Sequence, residues 1–215
     1  MKSLNITEMY HSVQGETSLM GVPTTIVRLG GCNLRCKWCD TSHSFEKGNR
    51  KTLPDILTKA QELSCQHICL TGGEPLLQPN VHLLMKQLCD LEYIVSLETS
   101  GSLSIQKVDP RVIIILDIKC PESSMSEKNY WQNLEMLRNH DEVKFVMENE
   151  KDYRYAIETC QKYNLFSRPK HVLFSPVHGE LEPKQLTTWL LRDKIPARLN
   201  LQIHKVIWPP DMIGV

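Results

Sequence analysis

The chain has 215 residues, 41% of them hydrophobic and 23% charged, and its 25 basic and 25 acidic residues give a formal net charge of zero. This balance argues against a nonspecific nucleic-acid binder, which needs a basic face, so we expect no direct nucleic-acid partner. The N-terminal residues lack the apolar core of a signal peptide, and the longest apolar run, VIIIL at residues 112–116, is too short to cross a membrane, so we expect a cytoplasmic protein without membrane contacts.

Runs rich in β-branched residues alternate along the chain with segments of helical spacing. The predicted strands are residues 24–30, 67–71, 93–99, 112–118, 142–147, 171–175 and 197–204. The predicted helices are residues 52–63, 80–91, 126–139, 151–164 and 183–192. Within residues 126–139, Ser126 is the expected N-cap, and Tyr130, Leu134 and Leu137 are expected to face inward.

This alternation of strands and helices predicts βαβ units and a mainly parallel sheet. Six or seven such strands are too many for a small flavodoxin-like domain, and the length falls short of the roughly 250 residues of an eight-unit barrel. We therefore predict a single α/β domain over residues 1–215, an open, incomplete (β/α)6-type partial barrel. In such folds the chemistry takes place at the C-terminal ends of the strands.

Three cysteines follow the first predicted strand in the segment GGCNLRCKWCDT, where Cys32, Cys36 and Cys39 are spaced as CxxxCxxC. In an intracellular protein, cysteines are more often ligands or free thiols than disulfides. Three thiolates from one loop can bind an iron–sulfur cluster. A structural zinc site is the alternative, and it needs a fourth ligand from His43, Cys65 or Cys69. Cys65 and Cys69 are more simply explained as buried thiols.

Polar and glycine-rich segments follow the other predicted strands. They are TGGEP at residues 71–75, ETSG at 98–101, DIKCP at 117–121, SPVHG at 175–179 and QIHK at 202–205. Because parallel strands end at the same edge of a sheet, we expect these segments and the cysteines to share one rim. Adjacent glycines in TGGEP allow a ligand to lie against bare backbone, although Gly-Gly alone also makes ordinary turns.

CxxxCxxC after the first strand, followed by GGEP after the second, resembles the radical S-adenosylmethionine (SAM) superfamily. The resemblance implies that the three cysteines hold a [4Fe–4S] cluster and leave one iron to be bound by the amino and carboxylate groups of SAM. It also implies that an electron from the cluster cleaves SAM to a 5′-deoxyadenosyl radical, while the protein aims the radical.

A narrower resemblance covers nearly the whole chain. YHSVQGET, VRLGGCNLRCKWCDT, TGGEPLLQ, LETSGS and LQIHK are similar, in this order, to segments of the 7-carboxy-7-deazaguanine synthase family. The resemblance implies conversion of 6-carboxy-5,6,7,8-tetrahydropterin to 7-carboxy-7-deazaguanine with loss of ammonia, in queuosine and 7-deazapurine biosynthesis. It further implies a [4Fe–4S] cluster, SAM and Mg²⁺ as cofactors, a flavodoxin-like or other electron donor, and a homodimer.

The family resemblance also implies roles for individual residues. The substrate-binding set is Val13, Gln14, Gly15, Arg28, Thr71, His204 and the C-terminal Val215. The SAM-binding set is Gly73, Asp117, Ile118, Lys119, Ser175, Pro176, Val177 and His178. Cys32, Cys36 and Cys39 would bind the cluster, Thr41 would bind Mg²⁺, and Glu16 and Glu98 would be catalytic, with Glu98 in proton transfer.

Two departures from the family pattern stand out: the chain has QGET where the family has QGEG, and DIK where many members have SPK.

Two alternative functions remain open at this point. One is a glycyl-radical-enzyme activase, which is also short and carries CxxxCxxC, and whose strand end resembles DIK. The other is a non-catalytic zinc-binding protein in which the cysteines are structural.

Overall fold

The computed structural model describes residues 2–215, whose strands form one nine-stranded sheet in the order β3-β1-β2-β4-β5-β6-β7-β8-β9. The strands are β1 Ser3–Val13, β2 Pro23–Leu29, β3 Asn49–Thr52, β4 His67–Gly72, β5 Ile94–Thr99, β6 Ile113–Lys119, β7 Glu142–Met147, β8 His171–Pro176 and β9 Arg198–Leu199. The helices are α1 Leu53–Leu63, α2 Val81–Asp90, α3 Asn133–Met136, α4 Glu150–Lys162, α5 Pro183–Asp193 and α6 His204–Ile207.

The sheet is parallel from β2 through β9, and β1 and β3 extend it at one edge as antiparallel strands. Its two edge strands, β3 and β9, do not pair with each other, so the barrel is open. The prediction of an incomplete α/β barrel with a mainly parallel sheet is confirmed. None of the described helices has the length and apolar character of a membrane span.

Each parallel strand places alternate side chains on opposite faces of the sheet. One face packs with α1, α2, α4 and α5 into the main core, to which Val27, Leu70, Leu97, Leu116 and Phe145 all contribute fully buried side chains. The neighbouring positions on the same strands turn to the concave face of the sheet. The concave face therefore receives the polar residues that stand between the apolar ones.

The helix boundaries follow local signals in the sequence. Thr52 caps α1 through a reciprocal capping box with Asp55, as the predicted start at Thr52 anticipates. The Asn149 side chain caps α4 by accepting from the backbone N–H groups of Lys151 and Asp152. Most predicted elements lie within two residues of the observed ones, but two predictions fail.

The predicted helix at residues 126–139 is wrong, because only a short turn at Ser126–Lys128 and the four-residue α3 are helical there. Leu134 and Leu137 are buried as predicted, whereas Tyr130 is 39% exposed and does not face inward.

Two asparagine side chains account for this break. Asn129 both accepts from and donates to the backbone of Lys119, at 2.9 Å in each case. The amide of Asn133, which is fully buried, accepts from Ile105 N at 3.0 Å and donates to Leu103 O at 2.8 Å and Gly101 O at 3.2 Å. These bonds tie the segment to the ends of β5 and β6, and they hold Asn129 in an extended conformation, with φ −62° and ψ 124°, that interrupts a helix.

The predicted last strand at residues 197–204 is also largely wrong. The strand β9 contains only Arg198 and Leu199, and His204 already belongs to α6, which spans His204–Ile207. Asn200 N still bonds to Phe174 O, but Ile203 N bonds to Gly15 O and draws the chain away from the sheet. The antiparallel strands β1 and β3 are additions that the sequence analysis does not predict.

We expect Asn133→Ala to lower the free energy of unfolding by roughly 2–4 kcal/mol, because each buried polar group that loses its partner costs about 1–3 kcal/mol. Urea denaturation followed by far-ultraviolet circular dichroism measures the change. Asn139→Ala is the matched control, since Asn139 lies in the same segment and is exposed. Equal stability of the two variants would contradict the anchoring role of Asn133.

Candidate active site

A cavity of about 670 Å³ opens on the concave face, at the C-terminal ends of the parallel strands. The predicted site residues that line it are Val13, Gln14, Gly15, Glu16, Arg28, Cys32, Cys36, Cys39, Thr41, Thr71, Gly73, Glu98, Asp117, Lys119, Ser175, Pro176, Val177, His178, His204 and Val215. The structure therefore brings together residues from nearly every strand end that the sequence analysis selected.

Ile118 is the exception among the predicted site residues. Because side chains alternate along β6, Asp117 and Lys119 point into the cavity while Ile118 points into the core, where it is 1% exposed. Its side chain therefore does not line the cavity, only its backbone is available to a ligand, and its assignment to SAM binding stays a prediction.

The cysteine loop leaves β2 at the rim of the cavity. Cys32, Cys36 and Cys39 carry free, half-buried thiols that all face this space. Burial raises the pKa of the Cys32 and Cys36 thiols, and the Lys119 ammonium opposes that rise. A positive charge in the cavity wall thus favours the thiolate forms that a metal cluster requires.

Gly73 allows the TGGEP loop to pack directly against the cysteine loop. A Cβ atom at Gly73 would lie 2.2 Å from the backbone oxygen of Gly31 and 2.8 Å from Cβ of Cys32. Glu74 N donates to the same Gly31 oxygen at 2.9 Å. Glycine at this position is therefore a condition for placing the backbone of the second motif beside the cysteines.

The donor set in the cavity fits an iron–sulfur cluster better than a four-ligand zinc site. His43 lies against Glu8, with its Nε2 3.2 Å from a carboxylate oxygen, and Cys65 is buried outside the cavity. Cys69 faces the cavity, but burial raises the pKa of its thiol well above the usual value, which disfavours the thiolate that zinc requires. Within residues 2–215, no three His, Cys, Asp or Glu side chains are grouped to bind a single metal ion. In a cluster, separate irons bind the separate thiolates.

A second group of polar side chains lies in the same cavity, around Glu98. Gln14 Nε2 donates to one Glu98 oxygen at 3.2 Å, and Thr71 Oγ1 donates to the other at 3.2 Å. Gly15 packs against the His204 ring so closely that a Cβ atom there would lie 2.0 Å from Nδ1. These contacts form a polar wall from β1, β4, β5 and the C-terminal segment.

Two carboxyl groups in this wall have pKa values shifted in opposite directions. Burial raises the pKa of Glu98, and the nearby Glu16 carboxylate adds to the rise while Lys144 opposes it. Burial also acts to raise the pKa of Glu16, but the Lys144 ammonium, whose Nζ lies 2.8 Å from Glu16 Oε2, outweighs it and lowers this pKa. Such a pair can hold one carboxylate and one protonated carboxyl side by side.

Arg28 is held in the cavity wall with part of its guanidinium free. Its Nε donates to Glu8 at 2.6 Å, and its Nη2 donates to the hydroxyl of Tyr10 at 3.1 Å. No described residue accepts a hydrogen bond from Nη1, so this edge remains available to an anionic ligand. A planar, oriented guanidinium suits a carboxylate.

Asp117 has an unused hydrogen-bonding oxygen in the cavity. Its Oδ2 lies 3.0 Å from Lys119 Nζ and 3.8 Å from Lys144 Nζ. Its Oδ1 is buried and has no partner among the described residues. A buried acceptor without a donor is costly unless a ligand supplies one, which suits the hydroxyl or amine of a bound cofactor.

Thr17, which occupies a glycine position of the QGEG pattern, adopts a backbone φ of 68° and is 3% exposed. This conformation favours glycine and is strained for a β-branched residue. Two hydrogen bonds hold the turn: Thr17 N donates to Asn200 Oδ1 at 2.7 Å, and Leu19 N donates to Thr17 Oγ1 at 3.1 Å. The QGET loop therefore keeps its shape without the glycine.

Sequence reasoning missed several residues that shape the site: Glu8, Tyr10, Asp40, Lys144, Gln202 and Lys205. Lys144 offered a signal, because it interrupts the apolar strand EVKFVM, and a lysine is rarely buried without a partner. Tyr10, Asp40, Gln202 and Lys205 lie within segments that the sequence analysis selected, but no local pattern separates them from their neighbours. Glu8 lies on β1, a strand that was not predicted.

The chain matches a family model for the radical SAM superfamily over residues 26–118. It is 41% identical to the 7-carboxy-7-deazaguanine synthase of Chlorobaculum tepidum, over 99% of this chain and 97% of that protein. It is 38% identical to the enzyme of that name from Koribacter versatilis, over 99% of this chain and all of that protein.

The chain belongs to the 7-carboxy-7-deazaguanine synthase family. Among solved structures, QueE from Escherichia coli matches with a TM-score of 0.76 and 23% identity, covering 93% of this chain and 94% of that one, which shows the same fold. Membership in this family decides against both alternatives, the glycyl-radical-enzyme activase and the non-catalytic zinc protein.

We expect Glu98→Gln to change how stability depends on pH. Because the folded-state pKa of Glu98 is raised, its contribution to stability is complete below the unfolded-state pKa and is lost as the pH rises through the folded value. The wild-type free energy of unfolding should therefore fall relative to that of the variant as the pH rises from about 4 to 7. Urea titrations across this range measure it.

Glu158→Gln, an exposed change on α4, is the control for this series and should run parallel to wild type at every pH. Parallel curves for Glu98→Gln and wild type would contradict the raised pKa.

Proposed function

We propose that the cavity converts 6-carboxy-5,6,7,8-tetrahydropterin to 7-carboxy-7-deazaguanine with loss of ammonia, by radical ring contraction in 7-deazapurine and queuosine biosynthesis. The observation that carries the proposal is the convergence of three free thiols, the Gly73 backbone, an oriented Arg28 and the Glu16–Glu98 pair on one cavity. Family membership supplies the reaction, and this geometry supplies the groups that it needs.

The enzyme uses a [4Fe–4S] cluster, SAM and Mg²⁺. We assign Cys32, Cys36 and Cys39 to the cluster and the Thr41 hydroxyl, 3.8 Å from Cys39 Sγ, to Mg²⁺, a hard cation that prefers oxygen ligands. Bound at these residues, a reduced cluster and SAM would supply the radical chemistry of the reaction. Thr41 follows the cysteines directly in the chain and lines the same cavity as Arg28 and Glu98, and this supports its role as a bridge to the substrate.

The remaining residues bind the two small molecules. On the SAM side we place the backbone of Gly73, the free oxygen of Asp117, the Lys119 ammonium and, from the β8 end, Ser175, Pro176, Val177 and His178. On the substrate side, Arg28 binds the carboxylate, while Gln14, Thr71 and His204 donate or accept hydrogen bonds at the pterin edge. Val13, Gly15 and Val215 complete that wall.

Glu16 and Glu98 handle protons in this proposal. Lys144 keeps Glu16 ionised, so that Glu16 accepts hydrogen bonds from the amine groups of the substrate. Glu98, whose pKa is raised, holds a proton more readily and can exchange it with the substrate during loss of ammonia.

Four further properties belong to the proposal. We infer that the enzyme works in the cytoplasm, takes electrons from a flavodoxin-like or other external donor, and is a homodimer. The unpaired outer edge of β3 in the sheet supports pairing with a second copy. We also propose that residues 1–215 act as one radical SAM domain.

The direct test is an anaerobic assay of reconstituted protein with the pterin substrate, SAM, Mg²⁺ and a reductant, with the product identified by mass. We expect 7-carboxy-7-deazaguanine without net consumption of SAM, and about four iron and four sulfide per chain. A colourless protein with one zinc, or a brown protein that forms no product, would contradict the proposal.

Arg28→Lys should raise KM for the substrate by tenfold or more, because a charged hydrogen bond contributes about 1.5–3 kcal/mol and lysine lacks the planar fork. Steady-state kinetics at saturating SAM measure the effect, and the iron content should stay at the wild-type value. Arg154→Lys, an exposed change on α4, is the control. Unchanged KM in Arg28→Lys would remove Arg28 from carboxylate binding.

A further inference from the structure

The C-terminal segment, residues 203–215, forms part of the cavity wall. Its residues His204, Lys205 and 210–215 line the cavity, so the segment carries two of the groups that we assign to the substrate. Among the described residues, no hydrogen bond joins residues 209–215 to another part of the chain. The position of this segment therefore depends on how its beginning is held.

Hydrophobic packing does not hold the beginning of the segment. The helix α6 contains no buried residue, and Val206 and Ile207 are 81% and 55% exposed. An apolar face against the core is the usual anchor of a helix, and a four-residue helix is not stable alone. Polar contacts must supply the anchor here.

Those contacts converge on Asp40, an aspartate of the cysteine loop. Lys205 Nζ lies 2.9 Å from Asp40 Oδ2, and Gln202 Nε2 donates to the same oxygen at 3.0 Å. Gln202 Nε2 also donates to Glu16 Oε1 at 2.8 Å. We name Asp40, Gln202 and Lys205 the C-terminal latch.

The latch is more protected than a typical surface ion pair. The Lys205 side chain is only 9% exposed, although that of Asp40 is 47% exposed. Exposed ion pairs contribute little because water and salt screen them, whereas Lys205 is largely removed from water and Asp40 accepts two hydrogen bonds. The backbone bond from Ile203 N to Gly15 O, at 2.9 Å, adds a second point of attachment.

Asp40 stands between Cys39 and Thr41, the proposed ligands of the cluster and of Mg²⁺. We propose that Lys205 and Gln202 are positioning residues which, by binding Asp40, set the C-terminal segment against the cysteine loop and so place His204 and Val215 over the substrate. The inference rests on the proposed function, since it concerns the same substrate site. The residues act through the segment and do not contact the reacting atoms.

The test compares Lys205→Met, Asp40→Asn and the double variant in the reconstituted full-length holoenzyme. Each single change should raise KM for the pterin roughly tenfold, with iron content unchanged. The KM of the double variant should be no higher than that of the more impaired single variant, because both changes remove the same interaction. Such non-additive effects are expected for residues in direct contact. Lys184→Met, an exposed lysine on α5, is the matched control and should behave as wild type.

Hydrogen–deuterium exchange without substrate gives a readout that does not depend on turnover. Exchange should accelerate in residues 203–215 of both single variants and stay unchanged in β4 to β7. Unchanged exchange in the segment, losses that multiply in the double variant, or loss of iron in Asp40→Asn would each overturn the inference. If wild type forms no product, the proposed function fails, while the exchange experiment still decides whether the latch exists.

Discussion

The pairing of the buried Lys144 ammonium with carboxylates is the interaction on which the rest of the site depends. Lys144 stands on β7 with its Nζ 2.8 Å from Glu16 and 3.8 Å from Asp117, and it opposes the rise that burial causes in the pKa of Glu98. Without this cation, neighbouring buried carboxylates would repel one another and take up protons. One lysine thus joins the side of the cavity that we assign to the substrate with the side that we assign to SAM.

This arrangement is possible because an open barrel has two different faces. The outer face is apolar and packed by helices, so it stabilises the sheet without any contribution from the cavity. The concave face can therefore carry charged groups. Burying them costs desolvation free energy, which the ion pairs offset only in part. Burying charges in this way is a poor means of stabilising a fold, which is consistent with a role in binding and catalysis.

Much of the fold and site could be read from local patterns. The spacing of apolar residues and the capping residues predict the parallel strands and most of the helices. The same predicted strands put CxxxCxxC and TGGEP at strand ends. The two elements that were predicted wrongly failed for tertiary reasons. Residues 126–139 have helical spacing, but Asn129 and Asn133 find better partners in distant backbone, and the chain after Leu199 leaves the sheet for the Gly15 loop. Ile118 was grouped with its neighbours, although strand alternation sends it to the core.

The sequence by itself determined the chemistry: the thiols, the adjacent glycines and the family to which their order belongs, because those features depend on spacing within short segments. Only the tertiary structure decided which charges meet. Glu16 is 128 residues from Lys144, and Asp40 is 165 residues from Lys205. Pairs so far apart along the chain have no common local pattern, and the sheet topology and the path of the C-terminal segment alone bring them within hydrogen-bonding distance.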